Sequence, residues 1–279
     1  MRKNKYLLFS LIFFLLIGFS QYIYDLNTDY FKKKNTFLAL PSGKTMRILS
    51  FGNSELIADF LYIWSIQFFS NYNLLNSKDF IEDIYNLITD ISPRYKDPYL
   101  LGSTIMAIEM NDIEMAVRLL QKGSKNMDDE WIFDFESGYY TSKYLKNYKL
   151  AEKYYKKSSK KKGAPEFISR MLYHSIYMQG KLEESLVLYQ NVLKNAKTEI
   201  ERRSANLHLY QIKFEIDKKK IKSAMDVFFN RYGFYPDNIN ELVTYRIIGE
   251  IPKDFKGHHY KYDKKKGTID PKEGYMWKK

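Results

Sequence analysis

Two adjacent histidines near the C-terminus, His258 and His259, are the first candidates for chemistry, because an imidazole can serve as a base or a metal ligand. Asp254 and Asp263 lie close enough in sequence to assist one of them. Adjacent residues of a strand point to opposite faces, so these two imidazoles make a poor metal-binding pair. No HExxH pattern accompanies them. We therefore interpret the pair as packing residues of a loop or strand.

A second candidate is residues 42–45, Ser-Gly-Lys-Thr, which match the end of a phosphate-binding P-loop. The complete motif needs a glycine five positions before Gly43, and that position holds Leu38. Acidic residues 128–130 precede Trp131 and are interpreted as charge at a helix start rather than as an acid–base pair. The sequence thus predicts no catalytic residue, no cofactor and no metal site. A hydrolase of unknown type is retained as an alternative.

The composition limits the function further. The chain has 279 residues, a net charge of +12 and 17% aromatic residues, which is unlike a disordered protein. Of its 45 Lys and Arg residues only nine are Arg, whereas readout of nucleic acid favours Arg. We predict a solvated lysine surface with no specific nucleic-acid partner, and weak attraction to anionic headgroups is left open. The absence of Cys excludes disulfides, thiolate metal sites, a Cys nucleophile and a lipoprotein anchor.

A phrase that recurs about every 35 residues organises the middle of the chain. Its small residues, Ala116, Ala151 and Ser185, lie 35 and 34 positions apart. A period in this range is typical of stacked helix–turn–helix units. The predicted units cover about 96–130, 131–165 and 166–199.

Each predicted unit has the same internal order of first helix, turn and second helix. Asn or Gly stands at each reversal, and a larger residue follows the small one by one turn. The reversals are placed at Asn111, Asn147 and Gly180, and the larger residues are Leu120, Tyr155 and Tyr189. Residues 163–165, Gly-Ala-Pro, break the second unit before the third begins.

The period, the small residue and the larger residue after it resemble the tetratricopeptide repeat (TPR) family. The first helices depart from that family, because its Trp-Leu-Gly-Tyr pattern is degraded and its early glycine is absent. Ser185 also stands where alanine is usual. The resemblance implies an all-α helical-repeat solenoid whose concave face is lined by the first helices and binds other proteins.

The same resemblance implies which side chains line the concave groove. Their mixture of aromatic and cationic groups suits an extended peptide or a carboxyl terminus of a partner. The alternative is that several of them simply pack against the next repeat. The residues implied are Phe133, Glu136, Tyr140, Lys143, Tyr144, Phe167, Arg170, Met171, His174 and Tyr177.

Residues 1–24 combine a basic leader with an apolar run at 6–19. Continuing to Tyr24 reaches the ~20 residues needed to span a bilayer. One interpretation is an uncleaved signal anchor, which is a transmembrane helix. The other is a cleaved signal peptide with Gly18 and Ser20 before the cut. We favour the anchor because no Ala-x-Ala pattern is present, and either interpretation exports the rest of the chain.

The predicted anchor is followed by a spacer at residues 25–52 and a repeat region at 53–219. Residues 56–69 are almost wholly apolar, which predicts a helix buried on most sides. Residues 80–91 continue at helical spacing and are interpreted as part of a divergent opening repeat. Separate helices are predicted for 199–219 and 221–232.

Residues 220–279 show a different pattern, because Tyr260 and Tyr262 alternate as they would in a strand. A Gly-x-Tyr-Pro turn at 233–236 is followed by a short helix, a Pro-x-Asp-x-x-Gly loop at 252–257 and this hairpin. That order resembles the region after the long helix of type II secretion pseudopilins. It implies a small α+β C-terminal cap, which would cover the apolar end of the solenoid.

These patterns predict a non-enzymatic scaffold anchored in the cell inner membrane by a single-pass N-terminal helix, with its C-terminal domain exported. The groove of the repeats would bind another envelope protein or a peptide. The alternative is a component of a pilus or secretion-type assembly that acts through the C-terminal region. The identity of the partner and the oligomeric state are left open.

Overall fold

The computed structural model describes residues 41–70 and 78–272, together with Leu15, Leu16 and Phe19. These residues are mostly helical, consecutive helices pack against one another, and a small two-stranded sheet lies near the C-terminus. The chain divides into two compact units, residues 1–91 and 92–279. The predicted repeat region at 53–219 crosses this division, so its opening helices belong to the N-terminal unit.

In its described residues from 41 onwards, the N-terminal unit contains three helices: α1 (Gly43–Leu49), α2 (Ser54–Ser70) and α3 (Lys78–Ile91). The first of them lies inside the region predicted as a spacer. The hydroxyl of Ser42 caps α1 by accepting a hydrogen bond from the backbone N–H of Thr45. Both α1 and α2 pack on α3, which buries Ile84, Tyr85 and Ile88.

Helix α2 corrects the prediction that residues 56–69 are buried on most sides. Ala58 and Ser65 are buried, and the Ser65 hydroxyl lies 3.4 Å from the Tyr85 hydroxyl of α3. On the opposite side of α2, Leu56 is 54% and Phe60 is 64% exposed. The difference arises because, in the described part of this unit, α3 covers one side of α2 and leaves the other open.

The predicted transmembrane segment at 1–24 lies outside the described residues, apart from the three noted above. Among the residues that the structure describes, no helix is both long and apolar enough to cross a membrane. The choice between an anchor and a cleaved signal peptide therefore stays a prediction.

The second unit begins with three pairs of helices followed by one long helix. Each helix packs against the next along the chain. The helices are α4 (Lys96–Thr104), which continues as a π-helix (Ile105–Glu109), α5 (Ile113–Asn126), α6 (Ile132–Lys143), α7 (Tyr148–Ser158), α8 (Phe167–Met178), α9 (Leu182–Asn195) and α10 (Glu199–Tyr232).

The residues of the repeating phrase lie where the sequence predicts. Ala116, Ala151 and Ser185 are fully buried, so the second helix of each pair packs closely on the first at these points. The larger residues one turn later are also buried. The reversals carry left-handed backbone at Asn111, Lys146 and Gly180, whose φ angles are 52°, 53° and 77°.

Successive pairs also contact one another at the period of the sequence. The Lys96 ammonium donates to the Glu130 carboxylate at 2.8 Å, and the Gln211 amide donates to the Tyr177 hydroxyl at 2.9 Å. Both contacts join residues 34 positions apart. Consecutive packing of this kind is typical of a helical solenoid, in which each unit contacts mainly its neighbours.

Ser185 buries a polar hydroxyl at a position where the other two pairs of helices have alanine. Its hydroxyl is buried, and it has no hydrogen-bond partner among the described residues. We expect Ser185→Ala to raise the free energy of unfolding by about 1 kcal/mol, since the substitution removes an unsatisfied polar group. Urea unfolding of the full chain in detergent, followed by far-UV circular dichroism, measures the change.

A matched control for this substitution is Ser158→Ala. The Ser158 hydroxyl is equally buried but donates to the Trp131 carbonyl oxygen at 2.8 Å. Its removal should destabilise the chain by about 1 kcal/mol. Equal effects of the two substitutions would contradict the assignment of Ser185 as unsatisfied.

Helix α10 corrects the prediction of two helices separated near residue 220. It runs for 34 residues without a break and ends at Gly233, whose φ is 81°. No Gly or Pro interrupts it, and the lysines at 218–220 stay on its exposed side while Ile221 is buried. The predicted boundary between repeats and cap therefore falls inside one continuous helix.

The C-terminal cap packs on the second half of α10. It contains a short helix, α11 (Glu241–Thr244), and an antiparallel hairpin of β1 (Lys261–Asp263) and β2 (Thr268–Asp270), as predicted. Tyr262 pairs with Ile269 in this hairpin. The core between cap and helix includes Phe228, Leu242 and Ile269.

Two buried carboxylates fix the cap to α10. Asp217 accepts hydrogen bonds from the Lys213 ammonium at 2.6 Å and from the Tyr260 hydroxyl at 2.6 Å. Asp254, in the loop before the hairpin, accepts one from the Tyr210 hydroxyl at 3.1 Å. The cap is thus joined to the last helix of the array by polar as well as apolar contacts.

Candidate partner-binding surface

Phe133 does not line an open surface, which corrects its assignment to the groove. Its side chain is 0% exposed, and its ring packs edge-on against Tyr99 of α4 at 5.4 Å between ring centroids. The aromatic residue at the start of α6 is therefore part of the contact between the first and second pairs of helices.

Three predicted residues at intervals of four form a strip along one side of α6 and its C-cap: Glu136, Tyr140 and Tyr144. Tyr140 is nearly buried, and its hydroxyl lies 3.3 Å from the hydroxyl of Thr104 in α4. Its ring lies 6.1 Å from that of Tyr144, which is 40% exposed. Tyr140 is therefore a packing residue at the base of this strip, and Tyr144 is its accessible end.

Lys143 places an exposed cation beside this strip. Its ammonium donates to the Tyr139 hydroxyl at 2.6 Å and lies 5.0 Å and 5.3 Å from the ring centroids of Tyr139 and Tyr144. The hydrogen bond to Tyr139 raises the pKa of Lys143, so the ammonium stays charged. An ammonium held between aromatic rings is a ready contact for a carboxylate of a partner. Tyr139 belongs to this group and was not predicted from the sequence.

Glu136 is the most unusual residue of the strip. Its side chain is half-buried, and desolvation raises the pKa of its carboxyl. Within the described part of the chain it makes no hydrogen bond or ion pair. A desolvated carboxylate without a partner is unfavourable, and a cation brought by another molecule would relieve that cost.

The first half of helix α8 contributes mainly aromatic and apolar surface. Phe167 is 36% exposed and lies edge-on to Phe135 of α6, with 5.2 Å between ring centroids. Met171 is partly buried against the cluster of Ala151, Tyr155 and Ile168. The two predicted residues are therefore partly engaged in packing between the second and third pairs.

The remaining predicted residues of α8 are all half-buried. Desolvation lowers the pKa of His174, and its ring lies 6.2 Å from that of Tyr177. Arg170 acts electrostatically on Glu201 at the start of α10 and contributes to lowering the pKa of that carboxyl, after the backbone N–H of Lys197. Cationic and aromatic groups thus remain at this surface after packing.

The surface residues repeat at the same phase in successive first helices. Arg170 lies 34 residues after Glu136, and His174 lies 34 residues after Tyr140. A further step of 34 reaches His208 in α10, which stacks on Tyr189 at 4.3 Å. Desolvation and then the nearby His174 lower the pKa of His208 to about 4. His208 was missed because it follows the three recognised units, although the same period points to it.

A buried ionic cluster holds α6 in place under this surface. The Asp134 carboxylate is 0% exposed and lies 2.6 Å from the Lys161 ammonium and 3.1 Å from that of Lys157. The Ser124 hydroxyl of α5 donates to it at 2.8 Å. Burial opposes ionisation, but the hydrogen bonds from Lys161, Ser124 and Lys157 lower the pKa of the Asp134 carboxyl. The cluster therefore ties α5, α6 and the end of α7 together.

Gly138 allows α6 and α7 to approach closely. A β-carbon at this position would lie 2.8 Å from the Tyr155 ring, which is too close for a van der Waals contact. This close approach at Gly138 was not predicted from the sequence.

The residues first considered for chemistry are engaged in local structure. Asp254 accepts hydrogen bonds from the backbone N–H groups of Lys256 and His258, and its carboxylate lies 3.5 Å from the His258 imidazole. His259 is exposed, and Ser42 caps α1. In the described residues, His, Asp and Glu side chains form no group of three or more that could hold a metal ion.

Comparison with known proteins adds no family: no protein-family model matches the chain, and a search of curated proteins finds no match. The class that the fold and surface define is a helical array with a two-stranded cap.

Proposed function

We propose that this protein is a non-enzymatic scaffold of the TPR type, tethered to the cell inner membrane, which binds an exported protein or peptide along its first helices. The observation that carries the proposal is a set of partly exposed side chains in two successive first helices: Glu136 and Lys143 in α6 with Tyr144 directly after it, and Arg170 and His174 in α8. Helical arrays of this kind usually present such surfaces to other proteins.

The charges at this surface indicate what kind of segment would bind. The half-buried Glu136 carboxylate favours a Lys or Arg side chain of the partner, and the exposed Lys143 ammonium favours a carboxylate. The rings of Tyr139 and Tyr144 offer apolar and cation–π contacts between them. An extended segment with charges of both signs fits this arrangement.

Removal of the Glu136 charge tests this proposal. The full chain, purified in detergent, is applied to an array of short peptides of random sequence. The peptides that bind the native chain should be enriched in Lys and Arg, because the carboxylate lacks a partner of its own among the described residues. Glu136→Gln should reduce the enrichment of Lys and Arg among the bound peptides by about tenfold, which is the effect of one charge-assisted hydrogen bond.

Glu183→Gln provides the matched control, since Glu183 is exposed on α9, the second helix of the third pair. It should leave the enrichment unchanged. If Glu136→Gln binds the same basic peptides as the native chain, or if the native chain shows no preference for them, the proposed surface is wrong.

A second candidate function is participation in a pilus or secretion-type assembly through the cap. The observation that favours it is an aromatic cluster in which Phe234 is 57% and Tyr245 is 46% exposed, both packed around Phe228. Phe234→Ala combined with Tyr245→Ala should abolish recruitment of partners if the cap binds them. Unchanged recruitment would leave the surface of the first helices as the binding site.

A further inference from the structure

The outer side of α2 is an apolar surface with no described partner. Leu56, Phe60 and Ile63 lie on one side of the helix at intervals of four and three residues, and they are 54%, 64% and 54% exposed. They face away from Ala58 and Ser65, which are buried on the side that packs on α3.

The end of α1 and the turn that follows it add to the apolar exposure. Ile48, Leu49 and Phe51 are 68%, 56% and 88% exposed. Within 16 residues, six large apolar side chains are therefore more than half accessible. Soluble monomers rarely expose so many neighbouring apolar groups, and such surfaces mark sites that contact another protein or a membrane.

The three described residues of the apolar run at the N-terminus are exposed as well. Leu15, Leu16 and Phe19 are themselves 64%, 61% and 64% exposed. The N-terminal unit thus exposes apolar side chains both in that run and on α2.

Residues 41–91 contain six Asp or Glu residues and three Lys or Arg residues, so the charge of this part of the chain is mainly acidic. Lys44 is exposed at the start of α1, and Asp83 is exposed on α3, the helix that packs against the opposite side of α2. On α2 itself, Glu55 and Asp59 lie along one edge of the apolar side, in its first two turns. The two acids at the edge limit how deeply α2 can enter.

Chain length allows this surface to lie close to the proposed anchor. From Phe19 to Pro41 there are about 22 residues, which span at most roughly 75 Å when fully extended. The half-exposed Tyr62 and Trp64 of α2 are residue types that favour the membrane–water boundary. A bilayer holding the N-terminal run is thus within reach of an apolar surface of the right chemistry.

We propose that the apolar side of α2 and the α1–α2 turn rest in the boundary between headgroups and acyl chains of the bilayer. This inference rests on the membrane tether in the proposed function. It assigns the N-terminal unit a second, peripheral contact with the membrane, separate from the predicted anchor and from the surface of α6 and α8.

The absence of cysteine from the native chain allows a direct test. Single substitutions Phe51→Cys and Phe60→Cys, with Asp83→Cys as the control, are introduced into the full chain. Each is labelled with an NBD fluorophore in detergent and then reconstituted into vesicles of phosphatidylcholine and phosphatidylglycerol. Labels at 51 and 60 should be quenched by lipids that carry a shallow doxyl group, and iodide should quench them severalfold less than the label at 83.

Two results would overturn the inference. One is equal iodide quenching at 51, 60 and 83. The other is efficient disulfide cross-linking of Phe60→Cys between copies without quenching by doxyl lipid, which would assign the surface to a second copy of the chain. Far-UV circular dichroism of each variant confirms that these outward-facing substitutions leave the helices folded.

Extraction of native membranes with sodium carbonate separates this inference from the tether. If the chain stays in the membrane pellet but its labels at 51 and 60 are quenched by iodide, the tether is supported and the contact through α2 is contradicted. If the chain is extracted but its labels in vesicles are shielded from iodide, the tether is contradicted and the contact is supported.

Discussion

Asp134→Asn is expected to destabilise the chain by about 3 kcal/mol, because it breaks a buried ion pair from one side. The Lys161 side chain is only 10% exposed and would keep its charge without the carboxylate that now lies 2.6 Å away. The loss should concentrate in α5, α6 and α7, since units of a helical array depend mainly on their neighbours. Hydrogen exchange of the full chain in detergent, resolved by peptide, measures it.

Asp128→Asn is the matched control, because Asp128 is exposed in the turn just before α6. Its effect should lie within about 0.5 kcal/mol, as for most surface substitutions. If Asp134→Asn exchanges no faster than Asp128→Asn, the buried cluster does not hold the second pair of helices in place.

The Asp134 contribution should also depend on pH in a defined direction. The native cluster lowers the pKa of this carboxyl below its ordinary value of 3.8. Its stabilisation is therefore complete above the unfolded pKa and is lost as the pH falls through the lower folded pKa. The difference in stability between native chain and Asp134→Asn should be constant from pH 7 to about pH 5 and shrink below pH 4.

Asp217→Ala is the second substitution with a large expected effect. It removes the acceptor of both the Tyr260 hydroxyl and the Lys213 ammonium, and the side chain of Asp217 is only 4% exposed. We expect about 3 kcal/mol, which corresponds to about 100-fold faster hydrogen exchange in the hairpin and in α11. Exchange in α4 to α7 should stay unchanged.

Two further variants make this prediction specific. Asp226→Ala alters an exposed acid on the same helix and should have little effect. Tyr260→Phe, combined with Asp217→Ala in a double-mutant cycle, should show a coupling of about 1–3 kcal/mol. Additive effects of the two substitutions would mean that the cap is not anchored by this hydrogen bond.

The paired helices could be predicted from the sequence because their requirements are local. Ala116, Ala151 and Ser185 occupy positions where two helices of one pair touch, and the left-handed turns lie a few residues before them. Such features recur at a fixed period and need no knowledge of distant contacts. The hairpin of the cap could also be predicted, because the alternation of Tyr260 and Tyr262 is a local pattern.

The burial of individual side chains could not be predicted in this way. The TPR resemblance placed Phe133 and Tyr140 on the side of α6 that faces the groove, according to their positions along the helix. In the structure, Tyr99 and Thr104 of the preceding pair contact these two side chains. The Asp134 cluster joins residues 27 positions apart, and no spacing rule links them. The sequence did not predict that α10 is continuous. Three consecutive lysines at 218–220 look like a linker, and the sequence alone does not show that they lie on the exposed side of a helix.

Binding of a partner along the first helices can be tested by photo-crosslinking in cells. Benzoylphenylalanine replaces Tyr144 on α6 or, as a control of similar exposure, Val187 on α9. If the partner binds there, position 144 should yield a discrete crosslinked product that Glu136→Gln weakens, and position 187 should yield none. Equal products from both positions, or none from position 144, would contradict it.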